Sequence, residues 1–157
     1  MTNYNGETTT LSGQKVSKNA PIIHLEGAAD ELNAHLGLVK SLISDDDTRK
    51  FIGGVQANVM KLMAHVSAPE NRDFFITDSE IAVLEKKTAE LSPPPESYPT
   101  GFQLPGKNAV EAQIHIARTV ARRAERMFVA VNEGSLNMNF GAYLNRLSEF
   151  LFVLSLR

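Results

Sequence analysis

The chain has 157 residues, with 16 Lys and Arg against 18 Asp and Glu, so the formal net charge is −2. That length fits one compact domain spanning 1–157, enough to bury roughly two-thirds of the unfolded surface without covalent staples. Cysteine is absent, which excludes disulfides, zinc knuckles, thiolate nucleophiles and iron–sulfur ligation. No apolar run approaches the roughly 20 residues of a membrane span. The expectation is a cytoplasmic protein with neither a membrane nor a nucleic-acid partner.

Residues 1–20 are rich in Thr, Asn, Ser and Gly. They show no periodicity and read as a loop that frays or is held by a ligand or neighbour. Pro21 suits a first helical turn. Ile22, Leu25, Ala29, Leu32, Leu36, Val39 and Ile43 then recur at helical steps,. The acidic run Asp45 to Asp47 marks a break or a new start. Ile52, Val55, Val59, Leu62 and Val66 follow as the seam of a bundle helix,. Thr77 and Glu80 have capping-box spacing and open a third helix carrying Ile81, Leu84 and Leu91,.

Five of the seven prolines fall between Ser92 and Gly106, so that stretch is neither helix nor central strand. A long ordered loop in a small domain is often functional. Asn108 and Glu111 have cap-like spacing, and the helix they open runs to about Asn132. A turn through Gly134 and Asn137 leads to a last helix with Leu144, Leu147, Leu151 and Leu154. Five helices joined by loops predict an all-α bundle. Met60, Met63 and Met138 read as packing residues. His24, His35, His65 and His115 have no metal-ligand spacing and read as surface or core histidines, so no metal site is expected from them.

The fourth helix concentrates charge. Four of the eight arginines, Arg118, Arg122, Arg123 and Arg126, lie within nine residues. At about 100° per residue, Val110, Ile114, Ala117, Ala121, Ala124 and Phe128 share one side. Arg118, Arg122, Glu125 and Arg126 form a stripe opposite, with His115 at its edge and Arg123 off it. A charged helix face is ordinarily a solvated one, softened by pairs such as Arg122–Glu125. Lysine would serve that purpose equally, yet no Lys follows Lys107. Arg is favoured where a planar fork grips phosphate or carboxylate. No GxxxxGK[ST] or GxGxxG occurs, so a nucleotide would need a helical site.

The segments 102–126 (FQLPGKNAVEAQIHIARTVARRAER) and 143–154 (YLNRLSEFLFVL) resemble the PduO-type ATP:cob(I)alamin adenosyltransferases. So do VSKNAP at 16–21, EGAADELN at 26–33 and VQANVMKLMAHVSAP at 55–69, in the same order. The resemblance implies a five-helix bundle assembling as a homotrimer with active sites between subunits. It implies transfer of the 5′-deoxyadenosyl group of ATP to Co(I) of reduced cobalamin, with Mg²⁺ accompanying ATP. A reductase or an acceptor enzyme is the further partner implied.

Carried over by position, Arg122, Glu125 and Arg126 match ATP-contacting residues, and Arg123 belongs to the same motif. Lys18 matches a phosphate-binding Lys, and Asn145 an ATP-contacting Asn. Thr8 and Thr9 fall on an N-terminal loop that wraps phosphates, so 1–20 is the expected ATP loop. Arg118 and Asp30 match a pair formed across the subunit interface. Phe102, on the Pro-rich loop 92–107, matches the aromatic that displaces the lower axial ligand of the corrinoid. Asn3 and Tyr4 stand where the family has Gly and Asp, Lys107 where a second Gly is common, and Glu149 where Asp follows NRLS. These departures keep a second reading open, a non-catalytic corrinoid- or nucleotide-binding descendant. A ligand-free structural bundle is a third.

Overall fold

The computed structural model describes residues 4–132 and 134–157. Five helices carry the fold: α1 (Pro21–Leu42), α2 (Asp46–Ser67), α3 (Asp78–Leu91), α4 (Ala109–Val131) and α5 (Asn139–Ser155). Single 3-10 turns occur at Arg72–Phe74 and Pro95–Ser97. The helix boundaries follow local chemistry. Pro21 occupies the first turn of α1. The Asp45 carboxylate accepts the Thr48 N–H at 2.8 Å and starts α2,. At α3 the Glu80 carboxylate accepts the Thr77 N–H at 3.0 Å, and the Asn108 side chain accepts the Glu111 N–H at 2.9 Å to start α4.

α1 packs against α2 and α4, α4 against α5, and α5 against α3. The expected seams fill the interior: Leu25, Ala29, Leu32, Leu36 and Val39 of α1 meet Ala117, Ala121, Ala124 and Phe128 of α4 in one apolar cluster. All five expected seam residues of α2 are buried as well. Gly141 lets α5 approach α4 closely, because a Cβ there would lie 3.0 Å from the fully buried Phe128 ring.

Two expectations change. The N-terminal segment is not loop throughout: β1 (Glu7–Thr9) and β2 (Lys15–Ser17) pair antiparallel, with Thr8 opposite Val16. Gly13, at φ +83°, makes the turn. The three-residue strands Glu-Thr-Thr and Lys-Val-Ser hold a single apolar residue, Val16, too little for an alternation to flag them,. The hairpin tip rests on the end of α2, where the Ser12 N–H donates to the Ser67 carbonyl at 3.1 Å. Of the three methionines expected to pack, Met63 does so on the core, while Met60 and Met138 are exposed.

His65 is a core residue. Its ring lies against Phe75 and Phe140, and its Nε2 accepts the Asn137 N–H at 2.9 Å, pinning the turn before α5. Among the described residues no helix is long and apolar enough to cross a membrane.

Candidate functional site

The α4 stripe faces a groove shared with α5. Arg122, Glu125, Arg126, Val129 and Asn145 line a cleft of about 310 Å³ there. Helical spacing stacks Arg122 and Arg126 one turn apart, and the antiparallel course of α5 brings Asn145 opposite Glu125. The Asn145 Nδ2 donates to Glu125 Oε1 at 2.9 Å, and Arg126 Nη1 donates to the Arg122 carbonyl at 3.1 Å. The expected Arg122–Glu125 pair does not form. None of the ion pairs among the described residues includes Arg122 or Arg126. Two guanidinium groups thus face one cleft while the adjacent carboxylate is held by an amide. This arrangement can take a multiply charged anion through forked, charge-assisted hydrogen bonds.

Arg123 points elsewhere. Its guanidinium pairs with Glu31 on α1, so it ties α4 to α1 and does not line the cleft with the rest of its motif. Arg118 is half-buried, and its Nε donates to His115 Nδ1 at 3.2 Å. Burial, then the neighbouring charge of Arg122, lowers its pKa. Asp30 is exposed on α1, and within the chain it forms no ion pair among the described residues.

The N-terminal residues lie on a different element. Thr8 is half-buried and Thr9 exposed, both on β1. The Lys18 N–H donates to the Gly6 carbonyl at 2.8 Å, and its ammonium sits 4.7 Å from the centre of the Tyr4 ring. Tyr4 thus meets Lys18 through a cation–π contact where a carboxylate would form an ion pair. Thr2 and Asn3 lie outside the described residues. Phe102 is fully exposed on the Pro-rich segment, beside the equally exposed Leu104. Gly101 and Gly106, at φ +91° and +123°, bend the chain on either side of them.

Glu111 was expected only as a helix-start residue, and it does more. Its buried carboxylate accepts the N–H groups of Gly106 and Lys107 at 2.8 and 3.1 Å. It also meets His115 Nε2 at 3.0 Å. Those backbone hydrogen bonds, Gly106 foremost, hold its pKa below the usual carboxylate value. The i, i+4 and i+3 spacing of Glu111, His115 and Arg118 was the available sequence signal.

Fold and cleft together define a helical bundle with an arginine-lined, anion-accepting groove between its fourth and fifth helices. A family model described as cobalamin adenosyltransferase matches residues 2–157, and the chain belongs to that family. Corrinoid adenosyltransferase PduO of Citrobacter freundii is 36% identical, over 96% of this chain and 46% of that protein. The PduO of Salmonella typhimurium is 32% identical with the same coverage. The chain therefore spans about half the length of those two relatives. The cobalamin adenosyltransferase of Cupriavidus metallidurans is 35% identical, over 96% of this chain and 81% of that protein. Among solved structures, a variant PduO-type ATP:corrinoid adenosyltransferase from Lactobacillus reuteri, complexed with cobalamin and ATP, superposes with a TM-score of 0.81. It is 27% identical, covering 96% of this chain and 86% of that one.

Proposed function

We propose that this chain transfers the 5′-deoxyadenosyl group of ATP to the Co(I) centre of reduced cobalamin, releasing triphosphate and forming adenosylcobalamin. One observation carries the reading: Arg122, Glu125 and Arg126 of α4 and the sequence-distant Asn145 of α5 converge on one cleft lined by guanidinium groups. In the reaction the Co(I) electron pair attacks C5′, a Co–C bond forms, and the C5′–O bond breaks with its electrons leaving on triphosphate. Cobalt ends formally as Co(III). The protein's work is to hold the two reactants in line and to stabilise the departing charge. Arg122 and Arg126 bind the phosphates, with Arg123 supporting them through its hold on α1. Asn145 orients Glu125, and the Thr8, Thr9 and Lys18 segment closes over the triphosphate.

Mg²⁺ fits as an ion carried by the nucleotide. Among the described residues no group of three potential ligand side chains gathers, and Glu125 is the carboxylate lining the cleft. Magnesium bound by substrate phosphates with one or two carboxylates is the usual arrangement. When present, it neutralises charge on the triphosphate.

Phe102 is the residue that takes the place of the lower axial ligand of the corrinoid, easing formation of Co(I). Its full exposure supports contact with a large ligand. The active unit is a homotrimer with sites between subunits. In support, the hairpin rests on α2, whereas the cleft lies between α4 and α5. The interfacial pair is Asp30 with Arg118 of a neighbouring copy. Asp30→Ala is expected to weaken the trimer, read by sedimentation equilibrium; an unchanged trimer contradicts that pairing. The setting is cytoplasmic, and a reductase supplies the electrons for Co(I).

A second reading, corrinoid or nucleotide binding without turnover, is favoured by the Tyr4–Lys18 contact. The two separate on anaerobic incubation with ATP, Mg²⁺ and chemically reduced cobalamin, followed by absorbance. A Co–C product supports transfer; bound corrinoid with no such product supports the second reading.

A further inference from the structure

The N-terminal end of α4 carries a polar chain that the cleft does not use. Glu111 Oε2 accepts two backbone N–H groups, from Gly106 at 2.8 Å and Lys107 at 3.1 Å. Its Oε1 meets His115 Nε2 at 3.0 Å. His115 Nδ1 in turn accepts from Arg118 Nε at 3.2 Å. Glu111 and His115 are both buried, so each unmade hydrogen bond here costs more than one at the surface. The donors and acceptors fix the ring state. A carboxylate accepts, so Nε2 carries the proton, and Arg118 Nε–H donates, so Nδ1 carries the lone pair. Gly106, at φ +123°, is the last bend of the segment that presents Phe102.

We propose that Glu111 is a positioning residue with two jobs: one oxygen anchors the end of the 92–107 loop that carries Phe102, and the other sets the His115 tautomer that holds Arg118. It joins the loop to the arginine stripe without touching either reactant. The loop's part in corrinoid turnover rests on the activity proposed above; the anchoring itself does not.

Two variants separate the jobs. In Glu111→Ala both acceptors are lost. In Glu111→Gln the two backbone N–H groups still require an acceptor, which fixes Oε1 toward Gly106 and Lys107. The amide Nε2–H₂ then faces His115, moves the ring proton to Nδ1, and sets it against Arg118 Nε–H.

Hydrogen exchange should show the Gly106 and Lys107 amides protected in the native chain and in Glu111→Gln. In Glu111→Ala they should exchange about tenfold faster or more, with Val59 and Leu62 amides of α2 unchanged as a check on folding. Nitrogen-15 shifts of His115 should report the Nε2–H tautomer in the native chain and Nδ1–H in Glu111→Gln. Equal exchange in all three proteins, or the same tautomer in the native chain and Glu111→Gln, overturns the proposal.

In turnover, Glu111→Ala should slow cobalamin more than a corrinoid lacking the lower base; equal slowing overturns the link to Phe102. A native chain that forms no adenosylcobalamin contradicts the proposed activity, while exchange and tautomer still decide the role of Glu111.

Discussion

The groove between α4 and α5 and the two segments outside the helices are built on opposite plans. In the groove, α4–α5 packing places Arg122, Glu125, Arg126 and Asn145, and the Asn145–Glu125 hydrogen bond joins the two helices across it. By contrast Phe102 stands fully in solvent, and Thr8, Thr9 and Lys18 ride on a hairpin whose contacts go to α2 and to Tyr4. A preassembled half suits binding an anion that looks the same in every encounter. An open half suits enclosing a large second reactant or completing a site with another copy of the chain. The difference predicts that substitutions in the groove impair ATP use outright, whereas substitutions outside it discriminate between reactants.

The largest effect is expected at the groove. Hydrogen bonds to charged groups contribute about 1.5–3 kcal/mol. Arg122→Ala should therefore lower kcat/KM for ATP roughly ten- to a hundredfold. Unchanged kcat and KM would show that the phosphates bind elsewhere. Next comes Phe102→Ala, which should leave ATP binding intact and slow intact cobalamin about tenfold more than a corrinoid without the lower base. Equal slowing of both would remove the aromatic from the ligand exchange. A smaller and opposite effect is expected for Tyr4→Asp, which replaces a cation–π contact with an ion pair to Lys18. It should lower KM for ATP by about two- to threefold, within the range of an exposed charge pair. A raised KM would show that the Tyr4 ring itself serves the nucleotide.

The last prediction tests the scaffold. The Glu80 pKa is lowered from 4.5 to about 2, first by the Thr77 side-chain hydrogen bond and then by Lys61 against a counteracting burial effect. Between those values the folded state binds fewer protons than the unfolded one. The stabilisation is therefore complete above pH 4.5 and is lost as the pH falls toward 2. Denaturant titrations should show stability falling through that window, and Glu80→Gln should flatten the fall. A slope identical in the two proteins would place the acid sensitivity elsewhere.

The helices were legible because periodicity and caps agree. Asp45, Thr77 and Asn108 each stand at a helix start, and the α4 wheel separates Ala121 and Phe128 from Arg122 and Arg126. The convergence of Asn145 on Glu125 was not readable from spacing, since it depends on the register of α5 against α4, which Gly141 and Phe128 set in space. The hairpin was missed because Glu7, Thr8 and Thr9 carry no apolar alternation. The Arg123–Glu31 pair is a tertiary contact, and the grip of Glu111 on the Gly106 and Lys107 amides is a local one made to backbone donors. Their donors are backbone groups or distant side chains that a one-dimensional pattern does not order.

The most direct test of the central claim, that the groove holds the triphosphate while Co(I) attacks C5′, is phosphorus-31 NMR during anaerobic turnover with ATP, Mg²⁺ and reduced cobalamin. The account predicts one intact triphosphate released for each adenosylcobalamin formed, with both lost together in Arg122→Ala. Orthophosphate or pyrophosphate in place of triphosphate, or product formation that persists undiminished in Arg122→Ala, would contradict it.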